Sequence, residues 1–401
     1  MTFDIVIVGG GLSGLALAAE LARPEFSKLR VLVLEQRTHY VRDRTWSYWR
    51  ASNQAAHPYS HLERQQWCSW RVRHDDRVGH RGADSVTKNS RTQSYCSLDA
   101  DVFYEAAQRA IAQSGHVTLR LNTAVRQITG GDTPHVETSD NTVIYATWIF
   151  DARPPEKNKP DSLVQQFLGY EIKTNKDVFD PTTVDLMYFH PSEDGLHFFY
   201  VLPYAARNAL VETTWISRAS LKPDFRTELT QFIASSLGSA SFEIVYEEKG
   251  ALNLSSNPIT PDTTAHILPL GRGAGTLRAS TGYAFLETLE HAKNVAASLL
   301  RHLAAGELKD WEPAAFKRRA LDVWMDTIFL KVLERDWGRS SHYFIQLFGR
   351  LDADSMVAFL SGRASWRQRL MVLSTLPTLP FAAQALSILI DQVPKYLRAR
   401  R

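Results

Sequence analysis

Three features of the chain predict an α/β protein with a Rossmann-type dinucleotide-binding domain, an antiparallel-sheet domain and a C-terminal helical region. The chain opens on a β-branched apolar strand that runs directly into glycines spaced G-x-G-x-x-G. Its middle carries runs that alternate apolar and polar residues and are rich in aromatics, the pattern of half-buried strands. Beyond Pro313 the apolar residues recur at helical spacing.

Composition narrows the classes. With 401 residues the chain can bury a large core or form two domains. Lys plus Arg number 46 against 43 Asp plus Glu, and a net charge of +3 is too small to argue for a nucleic-acid partner. The only cysteines, Cys68 and Cys96, have no metal-ligand spacing, so no metal site is expected. Two cysteines build no disulfide framework either, and a cytoplasmic location is the default expectation. Ile5 to Leu21 is apolar enough to resemble a secretory signal, but Asp4 precedes it and a glycine triplet interrupts it.

Ile5 to Val8 form the first expected strand, buried and parallel. Gly9 then permits the turn, Gly11 lets a pyrophosphate approach the backbone, and Gly14 lets the following helix lie close to the strand. The helix start offers unpaired N–H groups and a positive dipole end to phosphates. A second apolar strand, Val31 to Leu34, ends at Glu35, the position of a ribose-binding acid. A carboxylate there fits a free 2′-hydroxyl and repels a 2′-phosphate, so FAD or NAD is favoured over NADP.

Strands are expected at Val117–Leu121 and Ile144–Phe150, the latter running into Asp151 and a proline pair. A glycine-rich return, HILPLGRGAG over 266–275, precedes STGY at 280–283 and a helix over Phe285–Leu303. Backbone N–H groups around Gly271, Gly275, Thr281 and Gly282 are expected to face a flavin or its pyrophosphate. Between these segments Val184–Phe189, Leu196–Leu202, Ala209–Ile216 and Phe242–Tyr246 read as an antiparallel sheet roofing a substrate cavity. Helices are expected over Phe316–Leu333, Tyr343–Phe348 and Met356–Leu360. The resulting division is 1–80 and 81–160 for the FAD-binding unit, 161–260 for the substrate sheet, 261–310 for a return to the FAD unit, and 311–401 for the helices.

Leu370 to Ile390 is uncharged, is broken by Pro377 and Pro380, and is followed by Lys395, Arg398, Arg400 and Arg401. It reads either as a core helix with a solvated basic tail or as a surface resting on an anionic membrane.

Glu212 interrupts an apolar strand. Strict alternation puts Leu210, Glu212 and Thr214 on one face and Val211, Thr213 and Trp215 on the other. Glu212 is then either a solvent-facing residue or a carboxyl in an apolar cavity, protonated by desolvation and usable as a proton donor.

Several segments together resemble the lycopene cyclase family of flavoproteins, which has the two-dinucleotide-binding-domains fold. They are the glycine-rich start, DRTWSYW at 43–49, FFYVLP at 198–203, LVETTW at 210–215, EKG at 248–250, RASTGYAF at 278–285, FGRLD at 348–352, FLSG at 359–362 and Pro380 with Phe381. Their order and spacing cover nearly the whole chain. The resemblance implies a non-redox cyclase that closes six-membered rings on the linear ends of a C40 polyene. It implies FAD in its reduced form, NAD(P)H as the reductant, and a peripheral association with membranes. Glu212 becomes the essential acid, and Arg44 and Asp151 join the cofactor-binding residues. Tyr200, Trp215 and Phe285 are candidates for cation–π support of a carbocation, although each also reads as core. One departure stands out: where the family carries an acid in a Leu-Met-Asp-Phe stretch, this chain has Tyr188, and simple alternation puts Asp185 on the opposite face. A flavin monooxygenase or reductase acting on an isoprenoid, and a non-catalytic isoprenoid escort, are the alternatives on the same scaffold.

Overall fold

The computed structural model describes residues 2–53, 55–74, 85–154, 160–238, 240–254, 266–313 and 315–398, the last ten of these by backbone only. Arg400 and Arg401 of the expected basic tail lie outside the described residues.

The elements of the first part of the chain come first. They are β1 (Thr2–Val8), α1 (Leu12–Leu21), β2 (Val31–Leu34), β3 (Thr45–Ala51), β4 (Gln65–Trp67), β5 (Ser69–His74), β6 (Ser85–Asn89) and β7 (Gln93–Asp99). Next follow α2 (Ala100–Ser114), β8 (Val117–Arg120), β9 (Val125–Thr129), β10 (His135–Thr138) and β11 (Val143–Asp151). The central sheet adds β12 (Leu163–Thr174), β13 (Thr183–His190), β14 (Gly195–Ala205), β15 (Asn208–Arg218), α3 (Phe225–Ser236) and β16 (Phe242–Asn253). The chain returns with β17 (Ile267–Pro269) and α4 (Phe285–Leu303). It ends in α5 (Ala320–Arg335), α6 (Trp337–Arg350), α7 (Ala353–Leu360), α8 (Trp366–Thr375) and α9 (Thr378–Arg398).

Strand order in the first sheet is β8-β2-β1-β11-β10-β9, with β17 parallel to β11. β1 lies between β2 and β11 with parallel pairing on both sides, and Ile5, Val6 and Ile7 are fully buried. That position explains the unbroken β-branched run, since a central parallel strand is covered on both faces. β17 brings the 266–275 return back to this sheet, as the late glycine stretch led one to expect.

The second sheet has the order β16-β12-β15-β14-β13-β5-β6. It is antiparallel except where β13 meets β5 in parallel. β5 and β6 come from residues that the sequence division places with the nucleotide unit, so the sheet is wider than expected. β12 was not anticipated at all. A small third sheet has the order β3-β7-β4.

In the C-terminal region α5 begins at Ala320, four residues later than the helix expected from Phe316. α8 and α9 meet at a bend of 120°. Pro377 sits in the break, and Pro380 falls in the first turn of α9, where its missing N–H is not needed. Among the described residues no single helix is long and apolar enough to cross a membrane. Val372, Leu376, Phe381 and Ile388 are buried in the core, whereas Trp366, Leu370, Met371 and Leu379 are exposed. The segment therefore has one face packed in the core and one apolar face exposed.

Candidate active site

A cavity of about 620 Å³ runs from the N-terminus of α1, past the inner face of the second sheet, to α8 and α9. Its two ends differ in chemistry.

The first end is built on the glycine turn. Gly9 has φ +101, a conformation that favours glycine. A Cβ on Gly14 would stand 1.9 Å from the Gly9 carbonyl oxygen, so only glycine lets α1 approach β1 this closely. A Cβ on Gly11 would meet nothing within 4 Å, and Gly11 opens onto the cavity. No side chain caps α1 there. Glu35 is buried, and its carboxylate accepts from the Gly10 N–H at 2.6 Å and the Arg37 N–H at 2.8 Å. Arg37, Arg44, Arg153 and Arg272 line this end. Arg44 pairs with Asp43 at 3.0 Å and Arg153 with Asp151 at 2.8 Å. Arg272 has no carboxylate within 4 Å among the described residues, and burial, with Arg44 nearby, holds its guanidinium below its ordinary pKa. Open glycine backbone, an uncapped helix start and an arginine cluster that includes Arg272 without a carboxylate partner fit the ADP half of FAD.

Of the sequence candidates, Arg44, Gly271, Thr281 and Gly282 line the cavity with Gly11. Two do not. The Asp151 carboxylate is turned to the Arg153 guanidinium and backbone, leaving Ala152, Arg153 and Pro154 on the wall. Gly275, at φ +86, ends a short 3-10 turn away from the lining.

The second end lies on the sheet. β15 is in register with β12 and β14, and β12 with β16, so Glu248, Gly169, Glu212 and Tyr200 form one row across four strands. Gly169 has no side chain, and the two glutamates meet over it. A Cβ there would lie 2.8 Å from Glu212 Cγ and 3.3 Å from Glu248 Cγ. Glu212 is thus resolved to the cavity face, with Leu210 and Thr214 beside it. Burial first, and then the charge and hydrogen bond of Glu248, hold the Glu212 carboxyl well above the usual range. Glu248 is also raised, mainly by burial, but less so because Thr45 donates to it, Glu212 lies against it and the Arg42 charge is near. Glu248 was not among the residues expected at the site. Its segment looks like an ordinary edge strand until β12 is placed between it and β15.

Three tyrosines, Tyr95 buried and Tyr200 and Tyr283 half-buried, share the cavity with the pair. The Tyr200 hydroxyl donates to Tyr95 Oη at 2.9 Å, and the Tyr283 hydroxyl to the same oxygen at 3.4 Å. Burial raises all three phenols, so they remain neutral. Phe285 lies on the wall, stacked on Tyr48 with ring centroids 4.8 Å apart.

Trp215 does not belong to the cavity. It points to the other face of the sheet, stacks on His197 at 4.3 Å and donates to Glu228 of α3 at 2.9 Å. Alternation along β15 had already separated it from Glu212. The expected opposition of Asp185 and Tyr188 also fails, because a β-bulge lies between them. Leu186 and Met187 both line the cavity, while Asp185 pairs with Arg71 and Arg73, and Tyr188 packs under Arg73 and against Phe232. No acid reaches the cavity from β13.

Similar proteins agree with this architecture. Solved structures with the same fold include a geranylgeranyl bacteriochlorophyll reductase-like protein from Thermoplasma acidophilum, with a TM-score of 0.61 and 15% identity over 97% of this chain and 99% of that one. Halogenase PltM in complex with phloroglucinol and FAD has a TM-score of 0.58 and 14% identity over 96% of this chain and 94% of that one. The fold is therefore that of FAD-dependent oxidoreductases and halogenases. In sequence the chain is 26% identical to lycopene beta-cyclase of Paracoccus sp. over 95% of each protein. It is 23% identical to lycopene beta-cyclase of Pantoea ananas over 96% of this chain and 98% of the relative. The sequence model described as lycopene cyclase protein matches residues 4–386, and this chain belongs to the lycopene cyclase family.

Proposed function

We propose that the protein is a carotenoid cyclase. It closes six-membered β-type rings on the linear ends of a lycopene-like polyene by protonation, cyclisation and deprotonation, with no net redox change. The observation that carries this reading is Glu212, a carboxyl that burial and Glu248 hold well above the usual carboxylate range on the wall of an apolar cavity.

A terminal isoprenoid double bond is a very weak base, so the acid must be protonated, close and shielded from water. Burial keeps the proton on Glu212. Phe167, Leu210 and Phe198 exclude water around it. After transfer, the Glu212 carboxylate and the carbocation stand as an ion pair in an apolar setting, where their attraction is strong. The neutral ring faces of Tyr200 and Phe285 add cation–π support. Reduced FAD, with NAD(P)H as the source of electrons, would supply further negative charge to the site. Gly11, Gly271, Thr281, Gly282, Arg44 and Arg272 would hold it, with Glu35 bracing the turn.

The open apolar face of α8 and α9 rests on a membrane surface in this proposal, next to the helices whose inner side chains line the far end of the cavity. The test is anaerobic incubation of flavin-reduced protein with lycopene in heavy water. The expected product has the mass of the substrate plus one solvent deuterium per ring, and Glu212→Gln makes none while retaining flavin. A product changed by two hydrogens or one oxygen identifies a reductase or monooxygenase, and a bound but unchanged polyene identifies an escort protein.

A further inference from the structure

The two carboxyls over Gly169 are not equivalent. Arg42 Nη2 donates to Thr45 Oγ1 at 3.1 Å, and Thr45 Oγ1 lies 2.9 Å from Glu248 Oε2. A guanidinium can only donate, so the Thr45 hydroxyl accepts from Arg42 and spends its own proton on Glu248. Glu248 Oε2 is therefore an acceptor. Arg42 has little freedom to turn away. Glu171 accepts from it at 2.6 Å, Asp99 lies at 3.2 Å, and the guanidinium sits 3.8 Å over the Tyr246 ring. Arg64 grips the same Glu171 and Asp99, and these interactions hold Glu171 down to about 2. Further ionisable neighbours among the described residues are Tyr246 and Tyr204 on the Glu248 side, Tyr200 on the Glu212 side, and Lys249, next to Glu248 in the chain and on the cavity wall.

We infer that Glu248 is the fixed carboxylate of the pair, held as an acceptor by the Arg42–Thr45 arm so that the transferable proton stays on Glu212. The inference rests on the cyclase reading for its chemistry but not for its geometry. Glu248 accepts the hydrogen bond that Glu212 donates, and so orients the acid. Its charge, beside the site of protonation, is a counter-ion supplied by the protein to the carbocation. When Glu212 releases its proton to the alkene, the pair carries two negative charges against one positive charge. Return of a proton from the ring cation to Glu212 restores the starting state. Thr45 and Arg42 are positioning residues, since they act only through Glu248.

The proton's location can be read without turnover. Infrared difference spectroscopy of the purified, flavin-loaded protein at neutral pH should show a protonated-carboxyl band that Glu212→Gln removes and Glu248→Gln retains. Any other pattern, above all a band kept in Glu212→Gln and lost in Glu248→Gln, overturns the inference. In turnover, Glu248→Gln should lower kcat about 100-fold, in the range for a lost electrostatic group. Thr45→Val should move the acid limb of the pH–rate profile upward by about one unit, because Glu248 loses a donor and takes up a proton more easily. Thr45→Ser should leave the limb in place, and an unmoved limb in Thr45→Val overturns the arm's role. Failure of the wild type to isomerise lycopene, with the band pattern intact, removes the cyclase reading and leaves the proton assignment standing.

Discussion

Gly169 and Glu212 face each other in register on adjacent strands, and a single added Cβ on the glycine would stand 2.8 Å from Glu212 Cγ. The glycine is needed for space and not for backbone freedom, since its φ lies outside the left-handed region. Gly169→Ala should displace one or both glutamates and lower kcat by about 10- to 100-fold, the scale of a misplaced acid. Flavin binding should be unchanged. Steady-state turnover beside flavin absorbance checks both halves, and a fully active variant would refute the packing argument.

Asp326 receives the Arg278 guanidinium at 3.0 Å and the Ser280 hydroxyl at 2.7 Å, with both charges almost fully buried. Removing one partner leaves an uncompensated buried charge. Asp326→Ala should cost about 3–5 kcal/mol of stability. Chemical denaturation measures it, and a loss below about 1 kcal/mol would show that the pair is not desolvated in solution.

The raised pKa of Glu212 couples stability to pH. The folded state holds this proton more tightly than the unfolded chain does. The resulting stabilisation is complete below the unfolded carboxyl's value and is lost as pH rises through the folded one. Glu212→Gln should therefore unfold at a higher temperature than wild type at alkaline pH, with the difference shrinking as pH falls towards 5. A constant difference across pH 5–9 would place the Glu212 pKa in the ordinary range.

Leu379 and Leu370 are 85% and 54% exposed. Replacing both with Asp should lower the fraction bound to anionic vesicles about tenfold, from lost insertion of apolar side chains and added repulsion. Co-sedimentation measures it. Equal sedimentation of variant and wild type would dismiss this face as a docking surface.

The nucleotide-binding start was legible because local chemistry dictates it: β-branched residues for a central strand, glycines for a turn, and a carboxylate at the second strand's end. α4 falls on Phe285–Leu303 as expected, because its apolar spacing is unambiguous. β12 was not legible. Its paired Gln165 and Gln166 break the alternation, and Tyr170 and Ile172 pack against α3 on the face opposite the cavity. Without β12, Glu248 cannot be placed next to Glu212, so the partner acid stayed hidden although its segment had been singled out. The bulge near Leu186 was equally invisible, because an extra residue in a strand leaves no mark on composition. Trp215 shows the opposite case, in which the period-two rule was sound and the resemblance drew attention to the wrong face.

Asp322 and Asp326 stand one turn apart on α5, and each closes on a guanidinium from a different part of the chain, Arg369 of α8 and Arg278 ahead of α4. The helix is thereby clasped from two directions, and neither clasp can open without stranding a bare charge in oil. Melting of the C-terminal helices and loosening of the cofactor-side loop become a single event, so the far end of the chain is a keystone of the hollow and not an appendage to it.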